Sequence, residues 1–171
     1  LDDGPLDTIA DLLRYAEETT APLLWLALEI IGDRSAEARE AARGIGIAWS
    51  LAGLIRAMPF HLRSHRQYLP RELLERHGVK TRELLDLKSS DALNQAVLAL
   101  SKIATDLLLE ARTLQPKIDR KALPVLLQAR YADIHLRRLK KAGFNPFNPQ
   151  LALPEPMIAW RLTWAKLKGR Y

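Results

Sequence analysis

The chain of 171 residues contains no cysteine, which excludes a disulfide framework and a thiolate metal site. It also has no glycine-rich phosphate loop, no nucleophile triad and no internal repeat. No stretch alternates apolar and polar residues long enough to form a half-buried strand. No uninterrupted apolar run reaches the ~18 residues that a membrane span needs, since the most apolar one, 21–31, contains Pro22. These absences favour a single all-α domain over residues 1–171.

The composition is that of a globular protein, with 48% hydrophobic and 27% charged residues. The 26 lysines and arginines outnumber the 20 acidic residues, which gives a net charge of +6. Such an excess favours anionic partners, namely membrane surfaces, phosphates or acidic proteins. The positive charge is spread over several predicted helices, and no nucleic-acid reading motif is present. We therefore expect no nucleic-acid partner.

Apolar residues recur every three or four positions through most of the chain, which predicts a helical bundle. Thr8 with Asp11 predicts a capping box, Ser35 and Ser90 are predicted caps, and Thr81 is a candidate cap. A proline disfavours helical geometry in the residue before it, so the central helix is expected to end at Pro59. The predicted segments are a helix over 8–31 kinked at Pro22, a central helix over 35–59, a basic loop over 61–68, short helices over 70–77 and 81–85, helices over 91–114 and 121–141, a proline-rich strap over 144–156 and a final helix over 157–168.

The apolar pattern also predicts which residues pack. In the helix over 91–114 the apolar stripe is nearly continuous, and Asp106 and Glu110 are predicted to lie on the solvated face. The final helix combines tryptophan with basic residues, which suits a membrane interface, although docking on the bundle is the favoured interpretation. The residues predicted to lie along one side of the first helix are Leu12, Tyr15, Thr19, Leu23, Leu26 and Ile30, and those predicted to hold the strap are Phe144, Phe147, Leu151 and Leu153.

The chain is organised around the stretch 41–70, where a helix rich in small residues leads into basic residues. Gly44, Gly46, Ser50 and Gly53 lie within this helix. A glycine there costs about 1 kcal/mol relative to alanine, so its presence requires a reason. Close approach of a neighbouring helix, or of a bulky ligand, would supply that reason.

Basic side chains surround the predicted end of the central helix. Arginine suits an anion site because its planar guanidinium can hold a phosphate or a carboxylate through two hydrogen bonds. The alternative is a solvated connection whose arginines bind nothing. His61 and His65 are four residues apart, but no third ligand has a suitable spacing, so no metal site is predicted. The residues of the predicted anion site are Arg56, His61, Arg63, Arg66 and Tyr68.

The same stretch resembles the second signature of the squalene/phytoene synthase family, whose members are head-to-head prenyl synthases with an all-helical isoprenoid-synthase fold. The resemblance covers essentially all 171 residues. It implies that the chain corresponds to the C-terminal part of such proteins, with the earlier part of the family domain outside it, and that its first and central helices line a pocket. The matching residues are Ala42, Ile45, Gly46, Ala48, Leu51, Arg56, Arg66, Tyr68, Leu69 and Pro70, and the implied pocket-lining residues are Trp25, Glu29, Gly46, Ser50, Gly53 and Ala57.

The departures from this signature fall on its polar positions. Ser50 replaces a glutamine and Gly53 an asparagine, while Ala57 and His61 replace two aspartates that bind magnesium in the family. Magnesium prefers hard oxygen ligands, and histidine is a poor substitute for them. The resemblance therefore implies a chain without a cofactor, in which arginines would meet an anion directly.

Segments 15–32, 54–61 and 143–154 resemble the branch of this family that is associated with assembly of mitochondrial NADH dehydrogenase, respiratory complex I. This implies a catalytically degenerate protein that holds a lipid, an isoprenoid or a nascent subunit, with a complex I subunit or another assembly protein as its partner. Two alternatives stay open: an active magnesium-dependent head-to-head prenyltransferase, and a peripheral membrane protein that binds lipid. The expected location is the cytoplasm in a bacterium, or the matrix side of the inner mitochondrial membrane in a eukaryote.

Overall fold

The computed structural model describes residues 6–171. Within that range the chain forms helices and turns and contains no strand, which confirms the all-α prediction. Short 3-10 turns lie at Gln115–Lys117, Arg120–Ala122 and Pro149–Ala152. The α-helices are α1 (Ile9–Ile30), α2 (Ala36–Arg63), α3 (Arg71–His77), α4 (Thr81–Leu85), α5 (Asp91–Thr113), α6 (Leu123–Leu126), α7 (Gln128–Lys141) and α8 (Ile158–Leu167).

Helix α2 lies at the centre of the bundle and packs against α1, α5 and α7. It buries residues from Ala38 near its beginning to Leu62 near its end. Small residues let the neighbouring helices approach closely, and a Cβ atom added at Gly44 would lie 3.4 Å from the backbone oxygen of Leu107 in α5. At Gly46 the close neighbour is α1. Helix packing is thus the reason for these two glycines.

Two helices are long and apolar enough, by length and composition alone, to cross a membrane: α2, and α5 together with the turn after it, Asp91–Lys117. Neither contains an uninterrupted apolar run of that length, because charged residues occur within both. Their most apolar windows are 50% and 39% buried inside the bundle, and α2 and α5 pack against each other. Packing in the core of the bundle accounts for the buried part of each window.

The prediction that α2 ends at Pro59 is wrong. The helix continues through Pro59 to Arg63. Helix α1 continues past Pro22, as the predicted helix over 8–31 does. A proline inside a helix costs about 3 kcal/mol because it removes a backbone donor and crowds the preceding turn. Burial of Met58 and Leu62 on either side of Pro59 helps to offset that cost. The segment predicted as a basic loop therefore begins as helix, and the loop itself spans 64–70.

The packed side of α1 also differs from the predicted one. Leu23, Leu26 and Ile30 are between 59% and 77% exposed. The α1 residues beside Gly46 of α2 are Thr20 and Leu24. The buried face therefore includes alanines and the leucines next to them, and a prediction that follows the largest apolar residues misses it. The residues that α1 buries are Leu12, Ala16, Ala21, Leu24 and Leu28.

The predicted helix starts are largely confirmed. Thr8 and Asp11 form the capping box of α1, Ser35 caps α2 and Ser90 caps α5, each through a side-chain oxygen that accepts a backbone N–H. Thr81 is the exception, because it is the first residue of α4 and not its cap. Most of the stripe predicted for α5 is buried, with Ile103 and Leu107 half-buried, and the acidic residues at positions 106 and 110 are exposed as expected.

The predicted helix over 121–141 is divided between α6 and α7. Pro124 has no amide hydrogen, so the short α6 has one donor fewer. The amide of Arg130 then donates to the oxygen of Leu127, three residues back, at 2.9 Å. This tight turn separates the two helices.

The strap is held by Leu151, which is buried, and by Phe144 and Phe147, which are half-buried. The prediction for Leu153 is wrong, because its side chain is exposed. Leu153 precedes Pro154, which favours an extended backbone at position 153, and its side chain points away from the core. The strap leads directly into α8.

Candidate functional site

The predicted anion-site residues fall on two sides of α2. On one side, the ring of His61 meets the ring of Tyr68 edge-on, with centroids 4.8 Å apart, and Tyr15 of α1 lies 5.8 Å from Tyr68. The amide of Arg66 donates to the backbone oxygen of His61 at 2.9 Å, which folds the loop back over the end of the helix. Gln67 braces the loop through two hydrogen bonds with the backbone of Leu69.

These residues close a small cavity, here called the His61 cavity, with a volume of about 20 Å³ open to water. That volume holds about one water molecule. Burial, and secondarily the positive charge of Arg66, lower the pKa of His61. The cavity is lined by Leu12, Leu51, Leu54, Ile55, Met58, His61, Leu62, Arg66, Gln67, Tyr68, Leu69 and Leu100.

Arg56 lies on the other side of α2, in a second and larger space between α2, α7 and the strap. We call it the Arg56 cleft. It encloses about 510 Å³ and is open to solvent, a size within the range of small-molecule sites. Its lining residues are Trp49, Arg56, Ala57, Tyr131, Ile134, His135, Arg138, Leu151, Ala152, Leu153, Pro154, Glu155 and Ile158.

Aromatic rings and positive charge define the Arg56 cleft. The ring of Trp49 lies 5.5 Å from that of Tyr131 and 6.2 Å from that of His135, measured between centroids. Burial, followed by the guanidinium charges of Arg56 and Arg138, lowers the pKa of His135 to about 4, against a smaller opposing effect of Glu155. His135 is therefore neutral at physiological pH. The two arginines supply the positive charge of the cleft.

The implied pocket-lining residues do not share one pocket. Ala57 lines the Arg56 cleft, and Gly46 is buried at the crossing with α1. The indole N–H of Trp25 donates to a backbone oxygen of α2 at 3.0 Å, and Glu29 pairs with two arginines. Ser50 and Gly53 are half-buried, and a Cβ atom at position 53 would meet no atom within 4 Å. Arg63, another residue predicted for the anion site, is exposed at the end of α2.

The donor set does not fit the magnesium ions that the fold family implies. Position 57 is alanine, which has no ligand atom, and His61 is a nitrogen donor that packs against Tyr68. Among the residues that the structure describes, no group of three or more histidine, aspartate or glutamate side chains is placed to hold a metal. The chemistry available to these residues is direct binding of an anion by guanidinium groups.

Sequence reasoning missed the contribution of α7 to the candidate site. Tyr131, His135 and Arg138 are spaced by four and three residues, so they share one face of a helix. That face meets Trp49 and Arg56, which are seven residues apart on α2. The spacing on each helix was visible in the sequence, but their pairing depends on how α2 and α7 pack.

Comparison with known structures shows the same fold. A squalene synthase from Alicyclobacillus acidocaldarius superposes with a TM-score of 0.77 at 23% identity, covering 83% of this chain and 54% of that one. A dehydrosqualene synthase, solved with a ligand, gives a TM-score of 0.80 at 21% identity, covering 97% of this chain and 58% of the other. At this level of identity, the similarity is evidence of a shared fold alone.

Comparison of sequences relates the chain to a group of assembly factors. It is 28% identical over 171 residues to complex I assembly factor 6 of Rattus norvegicus and 30% identical over 171 residues to that of Bos taurus. The chain spans about half the length of these relatives (51%). The family model for squalene/phytoene synthase matches residues 1–168. The chain therefore belongs to the squalene/phytoene synthase family.

Proposed function

We propose that this chain is part of a non-catalytic member of the squalene/phytoene synthase family that acts in assembly of respiratory complex I. Alanine and histidine at positions 57 and 61 carry the proposal, because they replace the two magnesium-binding aspartates of the family signature. The similarity to complex I assembly factor 6 supports the assembly role. The partner would be a complex I subunit or another assembly protein, and the location the mitochondrial matrix or, in a bacterium, the cytoplasm.

The Arg56 cleft is the site through which this role would be exercised. Arg56 and Arg138 present guanidinium groups beside the aromatic walls formed by Trp49 and Tyr131. An isoprenoid or lipid with a phosphate head, or an acidic segment of a nascent subunit, combines an anionic group with an apolar portion. Such a ligand would place its charge on the arginines and its apolar portion on the rings. The His61 cavity, with room for about one water molecule, suits no such ligand.

Binding of farnesyl diphosphate in the absence of divalent metal tests this assignment, measured by calorimetry. A hydrogen-bonded charge pair is worth ~1.5–3 kcal/mol, so Arg56→Ala should weaken binding by ~10- to 150-fold. Arg63→Ala is the matched control, because Arg63 lies seven residues further along the same helix, exposed and outside the cleft. The affinity of Arg63→Ala for farnesyl diphosphate should stay within about twofold of that of the unchanged chain.

Three outcomes of this titration contradict the assignment. The unchanged chain does not bind, Arg56→Ala binds as well as the unchanged chain, or Arg63→Ala loses as much affinity as Arg56→Ala. A parallel titration with inorganic pyrophosphate shows how much of the affinity comes from the anionic head. Circular dichroism of each variant confirms that the helices are intact.

The assembly role needs a separate test in cells. The full protein is expressed in cells that lack complex I assembly factor 6, and assembled complex I is measured on native gels. We expect the unchanged protein to restore the complex and Arg56→Ala to restore less than Arg63→Ala does. Failure of the unchanged protein to restore any complex I would contradict the assembly role.

The second candidate is an active magnesium-dependent prenyltransferase. Arg56 and the motif formed by Arg66, Tyr68, Leu69 and Pro70 favour it, because they match the signature of the family. The full protein with farnesyl diphosphate and magnesium decides between the two. Formation of a condensed product would overturn the non-catalytic assignment, whereas recovery of unreacted substrate would overturn the assignment as a prenyltransferase.

A further inference from the structure

Helix α8 is apolar on two opposite faces. Ile158, Leu162 and Ala165 follow the spacing i, i+4, i+7, and they are half-buried or buried against the rest of the protein. A second set with the same spacing, Trp160, Trp164 and Leu167, is shifted by two residues. Two residues correspond to about 200° around a helix, so this set points away from the protein body.

The outward set forms a continuous exposed apolar surface, here called the outer face. Trp160 is 62% exposed, Trp164 49% and Leu167 68%. The two indole rings stack on each other, with centroids 6.3 Å apart and an interplanar angle of 18°. Large aromatic side chains seldom remain this exposed without a binding role, because their burial contributes strongly to association.

Basic residues flank the outer face. The segment 157–171 contains four basic residues and no acidic one. Arg161 pairs with Glu155 at 3.4 Å, and the Lys168 ammonium lies 4.8 Å from the centre of the Trp164 ring. Positive charge around exposed tryptophan is the combination that binds an anionic bilayer, since indole favours the headgroup region and the basic groups meet the lipid phosphates.

The chain after α8 holds the helix in place. The hydroxyl of Tyr171 donates to the backbone oxygen of Ala111 in α5 at 2.8 Å, and Arg112 donates to the backbone oxygen of Tyr171 at 2.9 Å. Gln115 donates to the backbone oxygen of Gly169 at 2.7 Å. Because these bonds fix the end of α8 on the bundle, the outer face is presented as a surface of the folded protein.

We propose that the outer face of α8 docks on the headgroup region of an anionic lipid bilayer. The tryptophans and Leu167 enter the interface between headgroups and acyl chains, and Arg161, Lys166 and Lys168 contact phosphate groups. The docking is peripheral and involves no membrane span. It uses residues separate from the arginines of the Arg56 cleft, so its test is independent of the assembly role.

Co-sedimentation with vesicles of phosphatidylcholine, with and without phosphatidylglycerol, tests this proposal. The chain should pellet with the anionic vesicles in low salt, remain in solution with neutral ones, and show a blue shift of tryptophan emission on binding. Replacing both Lys166 and Lys168 by alanine should weaken binding by ~30-fold, given about 1 kcal/mol for each basic residue near an anionic surface.

The double variant Trp160→Ala/Trp164→Ala should lose both pelleting and blue shift, and Leu167→Glu provides an independent change on the same face. Leu109→Ala on α5 is the matched control, because Leu109 is also an exposed leucine on a helix; it should bind as the unchanged chain does. Absence of pelleting in low salt would overturn the proposal. Equal binding by the tryptophan variant would overturn it too, since charge alone would then be responsible and an acidic protein would be the better partner.

Discussion

Two glycines on the same helix allow the packing of α2 to be tested with a single type of substitution. A Cβ atom at Gly46 would lie 3.0 Å from Thr20 Oγ1 and 3.3 Å from Leu24 Cδ1, whereas one at Gly53 would meet nothing within 4 Å. Replacing glycine by alanine within a helix gains ~0.5–1 kcal/mol, because the unfolded chain loses freedom. Overpacking costs ~1–3 kcal/mol. Thr20 cannot turn away freely, because its hydroxyl donates to the backbone oxygen of Ala16.

Gly53→Ala should therefore raise the free energy of unfolding by ~0.5–1 kcal/mol. The free energy of unfolding of Gly46→Ala should be ~1–3 kcal/mol lower than that of Gly53→Ala. This difference is the overpacking cost alone, because both variants have the same gain in helix propensity. Urea unfolding followed by circular dichroism gives both values, and in a chain of this size each 1 kcal/mol corresponds to about 2–4 °C in melting temperature. Equal stabilisation by the two substitutions would refute the close contact between α1 and α2.

Further predictions concern pH and individual hydrogen bonds. The pKa of His135 is lowered from 6.5 to about 4 in the folded protein, so the unfolded chain binds a proton first as the pH falls. The free energy of unfolding should therefore decrease as the pH is lowered from 6.5 to about 4, by at most about 1.4 kcal/mol per pH unit. His135→Gln should flatten this part of a series of urea midpoints measured against pH. Tyr171→Phe removes the hydrogen bond to Ala111 and should cost about 1 kcal/mol in the same urea assay, and a midpoint unchanged from that of the parent would contradict the anchoring role. The side chain of Ser90 accepts the amide of Leu93 and so caps α5. Ser90→Ala removes this cap and should cost about 1 kcal/mol in the same urea assay.

Local sequence signals predicted the helices well. Thr8 and Ser90 each act on a backbone amide three residues away, so their effect is independent of the rest of the fold. Pro59 shows the limit of local rules. Its preference for ending a helix is overridden by the burial of Met58 and Leu62, which depends on neighbours that are distant in sequence.

The candidate site was harder to predict for a geometric reason. Arg56 and His61 are five residues apart, and because α2 continues past Pro59, His61 is rotated by about 140° around the helix axis relative to Arg56. Although they are close in sequence, Arg56 lines the Arg56 cleft and His61 lines the His61 cavity. The real neighbours of Arg56, His135 and Arg138, come from α7, and only the packing of the bundle identifies them.

The strap gives the Arg56 cleft and α8 a common wall. Leu153, Glu155 and Ile158 line the cleft, and the same few residues lead into the helix that carries the exposed tryptophans. Ile158 faces the cleft and the tryptophans face the opposite side of α8, so a bilayer that binds the outer face would also fix the position of this wall of the cleft.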